Sequence, residues 1–237
     1  LDRWNDIFNI LDQNTMSGLS DSVRLMFLAR AAQKSGDSTK ATENWNEMHR
    51  TLLYEKPEVV SFVAAYTVRI GENEHAAKVF KVMSSRRETA LEGFLGLIRC
   101  TPKNSPAVDV IPIYNEFLEV FPNIEEARRD LTYLQLLTNQ NLFDASIAAH
   151  EALKQSPNSL AAMSLSALAH LKNNDPALSD AIYKDKLIPW STAPDIWKNV
   201  RAAVLYATGK KSEADELASS IDKNQLRPEE RALLPAD

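Results

Sequence analysis

Four histidines are the first residues to test for chemistry: His49, His75, His150 and His170. A helical His-x-x-x-His pair would place two metal ligands on one helix face. None of the four has that spacing, so no metal site is expected. The single cysteine, Cys100, excludes an intrachain disulfide and a multi-cysteine zinc site. With no histidine near it in sequence, it reads as a buried, inert thiol rather than a nucleophile. Gly93 and Gly96 fall within an apolar stretch of helical spacing, which is no phosphate-cradling loop, and no Gly-x-Ser-x-Gly elbow occurs. The carboxylates Glu43 and Glu47, and Glu125 and Glu126, read as solvated helix faces rather than acid–base pairs. Nothing here argues for an enzyme or a cofactor, and the chain is expected to be non-catalytic.

The totals narrow the remaining classes. The chain has 237 residues, 44% hydrophobic and 25% charged, as in an ordinary folded protein. Its formal charge is −5, whereas nucleic-acid binding needs clustered Lys and Arg, so no nucleic-acid partner is expected. No apolar run approaches the ~20 residues that span a bilayer, and LDRWNDIFNI is not a signal peptide. The first residue is not Met, so the chain reads as a fragment or processed product. It is expected to be a soluble segment, cytoplasmic or periplasmic, of a protein that carries any anchor upstream.

The elements that position these residues announce themselves by period. The steps in Ala29–Gly36–Ala41–Trp45–Met48 are seven, five, four and three. They recur in Ala64–Gly71–Ala76–Phe80–Met83 and in Ala202–Gly209–Ala214–Ala218–Ile221. Weaker copies fill the middle. One marker per copy falls at 41, 76, 110, 145, 179 and 214, so the intervals are 35, 34, 35, 34 and 35. Chance does not keep such a rhythm. Within each copy the apolar positions share one helical face, a glycine ends the first helix in the left-handed conformation, and small residues let a second helix approach closely. One such hairpin cannot bury its apolar face alone, so neighbours must stack. Expected turns lie near 36, 71, 104, 140, 174 and 209, between 12 and 14 helices in all.

Two stretches break the rhythm. TPKNSPAVDVIP (101–112) holds three prolines and predicts a longer third turn. KLIPWSTAPD (186–195) predicts a long loop whose Trp190 packs back onto neighbouring helices, a partner contact being the alternative. Residues 1–19 read as the second helix of a truncated preceding unit plus a linker, 20–221 as six repeats, and 222–237 as a capping segment.

This pattern resembles the tetratricopeptide repeat, whose unit is two antiparallel helices of about 34 residues; NLFDASIAAHEALKQSPNS (141–159) carries the resemblance best. The family's first-helix Trp and Tyr are mostly replaced by aliphatic residues here. The resemblance implies an all-α, right-handed superhelical solenoid of about six hairpins, whose first helices line a concave groove. Its inward positions, carried over residue by residue, give Met26, Arg30, Lys34, Val68, Arg69, Leu95, Arg99 and Lys103 in the first three hairpins. In the last three they give Leu134, Leu137, Leu168, Leu171, Asn199 and Tyr206. The first half is basic and the second apolar. Lys34, Arg69 and Lys103 also suit helix C-termini, where the dipole favours cations, which leaves Arg30 and Arg99 as the anion-binding candidates. The function implied is a scaffold or adaptor that docks a peptide or helix in its groove. The alternatives are a structural module of a larger assembly, anchored or not, and a regulatory segment of a longer protein.

Overall fold

Helix-ending glycines and asparagines recur in phase, and they fix the architecture. The computed structural model describes residues 4, 6, 10, 11 and 18–235. Among these are thirteen α-helices and no strand. They are α1 (Asp21–Lys34), α2 (Ser38–Thr51), α3 (Pro57–Arg69), α4 (Asn73–Ser84), α5 (Ala90–Cys100), α6 (Ala107–Val120) and α7 (Glu125–Thr138). Then come α8 (Leu142–Gln155), α9 (Leu160–Lys172), α10 (Pro176–Ala181), α11 (Asp195–Ala207), α12 (Lys211–Ser219) and α13 (Pro228–Arg231). Of the expected helix over residues 1–13, Trp4 and Leu11 are helical, while Ile7 and Phe8 lie outside the described residues.

Five of the six turns close alike. The amides of Asp37, Glu72, Gln140, Asp175 and Lys210 each donate to the carbonyl five residues back, at 2.9–3.0 Å. Each such bond requires a left-handed residue just before the donor. Gly36, Gly71 and Gly209 supply it with φ of 82°, 79° and 77°, and Asn139 and Asn174 with 56° and 59°. The same rhythm puts the third donor at position 106. Pro106 has no N–H, so this bond cannot form, and the chain leaves α5 extended at Thr101. The proline-rich turn is long for that reason.

The six marker positions, Ala41, Ala76, Val110, Ala145, Ser179 and Ala214, are at most 3% exposed. At Ala41, Ala76, Ala145, Ser179 and Ala214 small side chains let the second helix lie close on its first, and Ser179 Oγ donates to the Ala167 carbonyl across such a contact at 2.7 Å. The fourth turn has one residue more than the others. Asn141 is left-handed as well as Asn139, with φ 47°, so α8 starts late relative to the closing bond. Counted back from Asn139, the place held by Arg30, Ala65, Leu168 and Ala203 belongs to Tyr133. The marker-based register, which put Leu134 and Leu137 on the open side of α7, is one residue out.

The chain divides into two compact units, Leu1–Thr101 and Pro102–Asp237. The third hairpin is thereby shared, with α5 in the first unit and α6 in the second. In the first unit α1 packs on α2 and α3, α3 on α4, and α4 on α5. Gly93 and Gly96 make the last contact possible. A Cβ on Gly93 would stand 2.3 Å from the Ser84 nitrogen, and one on Gly96 would stand 2.2 Å from the Phe80 ring. In the second unit each helix from α6 to α9 packs on the next, α9 also meets α11, and α11 packs on α12. The short α13 turns back to lie on α7 and α11.

Candidate functional site

The first-helix face of the first unit is open. Leu25, Leu28 and Ala29 of α1, and Val60, Val63, Ala64 and Thr67 of α3, face inward and are buried. The opposite side of α3 carries Phe62, Ala65, Val68 and Arg69. That of α5 carries Leu95 and Arg99, and Ser61 Oγ reaches Glu92 between the two helices at 3.4 Å. Phe62, Val68 and Leu95 are 48%, 43% and 47% exposed, three apolar side chains left to water. Phe27 of α1 meets the Tyr66 ring edge-on at 5.1 Å, and the Arg69 guanidinium sits 5.1 Å above that ring. Arg99 is exposed. Two predicted residues fall elsewhere. Met26 is fully buried in the core. Arg30 pairs with Glu72 at 3.1 Å, which neutralises it within the unit. Lys34, in the last turn of α1, stays exposed.

The second unit treats the same face differently. Leu134, Leu137 and Leu168 fill its core, and Asn199 is fully buried, so none offers a surface as expected of groove residues. Leu171 and Tyr206 are half-buried, and the Tyr206 hydroxyl donates to Asp215 of α12. Lys172, at the end of α9, donates to the Leu137 carbonyl in the last turn of α7 at 3.0 Å, where helix carbonyls lack partners of their own.

The chain's own C-terminal segment lies on this face at α7 and α11. Pro228 opens α13 with acidic residues in its first turn, as a helix start prefers. The Arg227 amide donates to Glu230 Oε2 at 2.6 Å, fixing that carboxylate. Tyr133 then donates its hydroxyl to Glu230 Oε1 at 2.9 Å, and Asn199 Nδ2 donates to the Glu230 carbonyl at 2.7 Å. Glu229 accepts from the Ala107 amide at 3.1 Å on both oxygens, satisfying a donor that the start of α6 otherwise leaves open. Arg227 reaches the Ser105 carbonyl. The segment thus closes the turn that Pro106 left unclosed. Leu226 is 1% exposed and Glu230 3%. Burial pushes the Glu230 carboxyl above its ordinary value, opposed by the Arg227 amide and the Tyr133 hydroxyl. Burial also raises Asp130, which accepts from the Tyr114 hydroxyl at 3.2 Å. Lys103, Tyr114, Asp130, Leu134, Trp197 and Arg227 line a small cavity beside the docked segment. The expected cap over the last repeat therefore reaches back to α6 and α7. Sequence reading missed Tyr133, Glu229 and Glu230; the Pro-Glu-Glu signature announced the helix but not where it lands.

The histidines pair across neighbouring helices. His49 and His75 share a hydrogen bond between Nε2 and Nδ1 at 3.1 Å, with His75 stacked on Trp45 at 4.2 Å. The His150 and His170 rings lie 4.4 Å apart. Burial lowers His49 to about 4, with His75 and Lys78 adding to the effect. Among the described residues no three His, Cys, Asp or Glu are grouped to hold a metal ion, and no helix is long and apolar enough to cross a membrane. Burial pushes the Cys100 thiol up, against the pull of Arg99. In comparison with known proteins, neither a family model nor a curated sequence matches this chain.

Proposed function

We propose that this chain is a non-catalytic interaction module, a tetratricopeptide-like right-handed superhelix whose first unit docks a protein segment on the face of α1, α3 and α5. One observation carries the reading. Phe62, Val68 and Leu95 of α3 and α5 are each more than two-fifths exposed, and Arg69 and Arg99, exposed on the same two helices, make no ion pair among the described residues. Apolar side chains exposed in this way are a usual mark of an interaction surface. Guanidinium groups at the rim select carboxylates, which they hold through charge-assisted, bidentate bonds. The partner is accordingly a peptide or helix with apolar anchors and acidic flanks, and no cofactor takes part. Arg30 leaves the binding set, because Glu72 already satisfies it.

Site-directed photo-crosslinking tests the reading. A crosslinker at Ala65 or Arg99 is expected to capture a protein partner in cells, and Leu95→Asp is expected to abolish that capture. A crosslinker at Glu47, exposed on α2, is expected to capture none. Capture from Glu47 alone would move the interaction to the second helices and favour an assembly module instead.

A further inference from the structure

The contact between α13 and the second unit joins two apolar anchors, the fully buried Leu226 and the partly buried Leu233, to a set of polar bonds from the stretch Leu226 to Glu230. Its bonds go to three separate elements: the start of α6, Tyr133 of α7 and Asn199 of α11. The connection back to α12 is short and wet, since Asp222, Lys223, Asn224 and Gln225 are all exposed. The bonds of the stretch engage a helix-start amide and two side chains, so its departure breaks no bond within the helices beneath it.

We propose that the surface beneath α13 is a second recognition site, for a partner protein's segment of the pattern Leu-x-Pro-Glu-Glu, and that residues 226–230 are its resident occupant. The fit is specific. A buried leucine anchors the segment, proline starts a helical turn, the first glutamate caps α6 through the Ala107 amide, and the second meets the Tyr133 hydroxyl. The resident fit is also incomplete. Asn199 is fully buried, and while its Nδ2 donates to the segment, its Oδ1 has no hydrogen-bond partner. Glu230 is buried against a phenol and amides, with no salt-bridge cation within the bonding set. An unpaired acceptor and a buried carboxylate both work against the docked state. A segment in trans that supplies one more N–H toward Asn199 would displace the resident one. The inference concerns the second unit and does not depend on the reading of the first.

The test uses the whole chain and a fluorescent peptide carrying residues 222–235, followed by anisotropy. Wild-type chain is expected to bind this peptide weakly, because its own segment competes at high effective concentration. Glu229→Ala with Glu230→Ala in the chain is expected to tighten binding at least tenfold. Tyr133→Phe or Asn199→Ala added to that variant is expected to reverse the gain. If the double variant keeps its helical circular dichroism and binds no tighter than wild type, the proposal is overturned. Should the double variant unfold, hydrogen exchange on the wild type decides. The Ala107 amide is expected to exchange at least a hundredfold faster than the amides of Leu168 and Ala169 in α9. Exchange of Ala107 only at the rate of those core amides would make the segment a fixed cap and would equally overturn the proposal.

Discussion

The two units carry the same repeat and end with opposite faces. Arg30 in the first and Tyr133 in the second hold the same place, six residues before the left-handed residue that closes the turn. Each reaches a carboxylate. Arg30 finds Glu72 on the next hairpin, and Phe62, Val68 and Leu95 of that unit stay exposed. Tyr133 finds Glu230, nearly a hundred residues along the chain, and that bond draws a covering segment across the face. A period of 34 or 35 residues dictates which positions point outward but not what meets them there. The partner of one outward side chain decides whether a face stays open.

The largest way to break the comparison is to remove that side chain. Tyr133→Ala is expected to cost about 3–5 kcal/mol, because it leaves a cavity and takes the hydrogen-bond donor from Glu230 Oε1 at once. Arg30→Ala, at a half-buried pair, is expected to cost about 1 kcal/mol. Urea unfolding of the two variants measures both. Equal costs would mean that the second unit does not depend on its covering segment. The first unit has its own point of weakness, which lies between helices rather than on the face. Gly93→Ala is expected to cost about 2–3 kcal/mol by forcing α5 away from the backbone of α4.

Acid should weaken the first unit and tighten the docking of α13. His49 is held down to about 4 by burial, with its neighbours His75 and Lys78 adding to the effect. A base with a depressed folded value contributes stability that is present above its unfolded value of 6.5 and lost as pH falls toward 4. Discounted for solvent screening of a partly exposed ring, the loss expected of the first unit over that window is on the order of 1–2 kcal/mol. His49→Leu should remove most of the dependence. Glu230 is raised by burial, so its folded form holds a proton that the unfolded form has released. Docking of α13 gains from protonation and weakens as pH rises through the raised value. Slower exchange of the Ala107 amide at mild acidity, once corrected for intrinsic rates, is the expected sign.

Much of this was legible in the residues. Gly36, Gly71 and Gly209 placed three turns, because few other residues accept positive φ there. The small markers Ala41, Ala76 and Ala214 placed the close helix contacts, because a larger side chain would not fit. The prolines of 101–112 gave the long third turn. The register of α7 was lost to one residue, Asn141, since an extra left-handed asparagine shifts the following helix without changing the pattern on either side. The landing place of α13 was not legible at all. Glu229 and Glu230 suit a helix start anywhere, and only the folded chain shows that the unclosed turn at Pro106 lies within their reach. Pairing of His49 with His75 was hidden for a similar reason, since they stand on different helices of neighbouring repeats.

The smallest expected effects test whether the open face is kept open for a partner. Val68 and Leu95 stand more than two-fifths exposed, so exchanging either for serine removes little buried area. Such surface changes usually fall within about 0.5 kcal/mol. Leu168 takes a comparable outward place in the second unit but is fully buried, and Leu168→Ser is expected to cost several kcal/mol, by analogy with leucine-to-alanine changes in cores of about 2–5 kcal/mol. Thermal melts of the three single variants would show the contrast directly. Exposed apolar side chains that contribute nothing to folding need another reason to be apolar, and binding supplies one. If Val68→Ser and Leu95→Ser each lower stability by more than about 1 kcal/mol, these residues belong to the folded core of the first unit. The two faces would then be alike, and the case for an open docking face would fall with the difference.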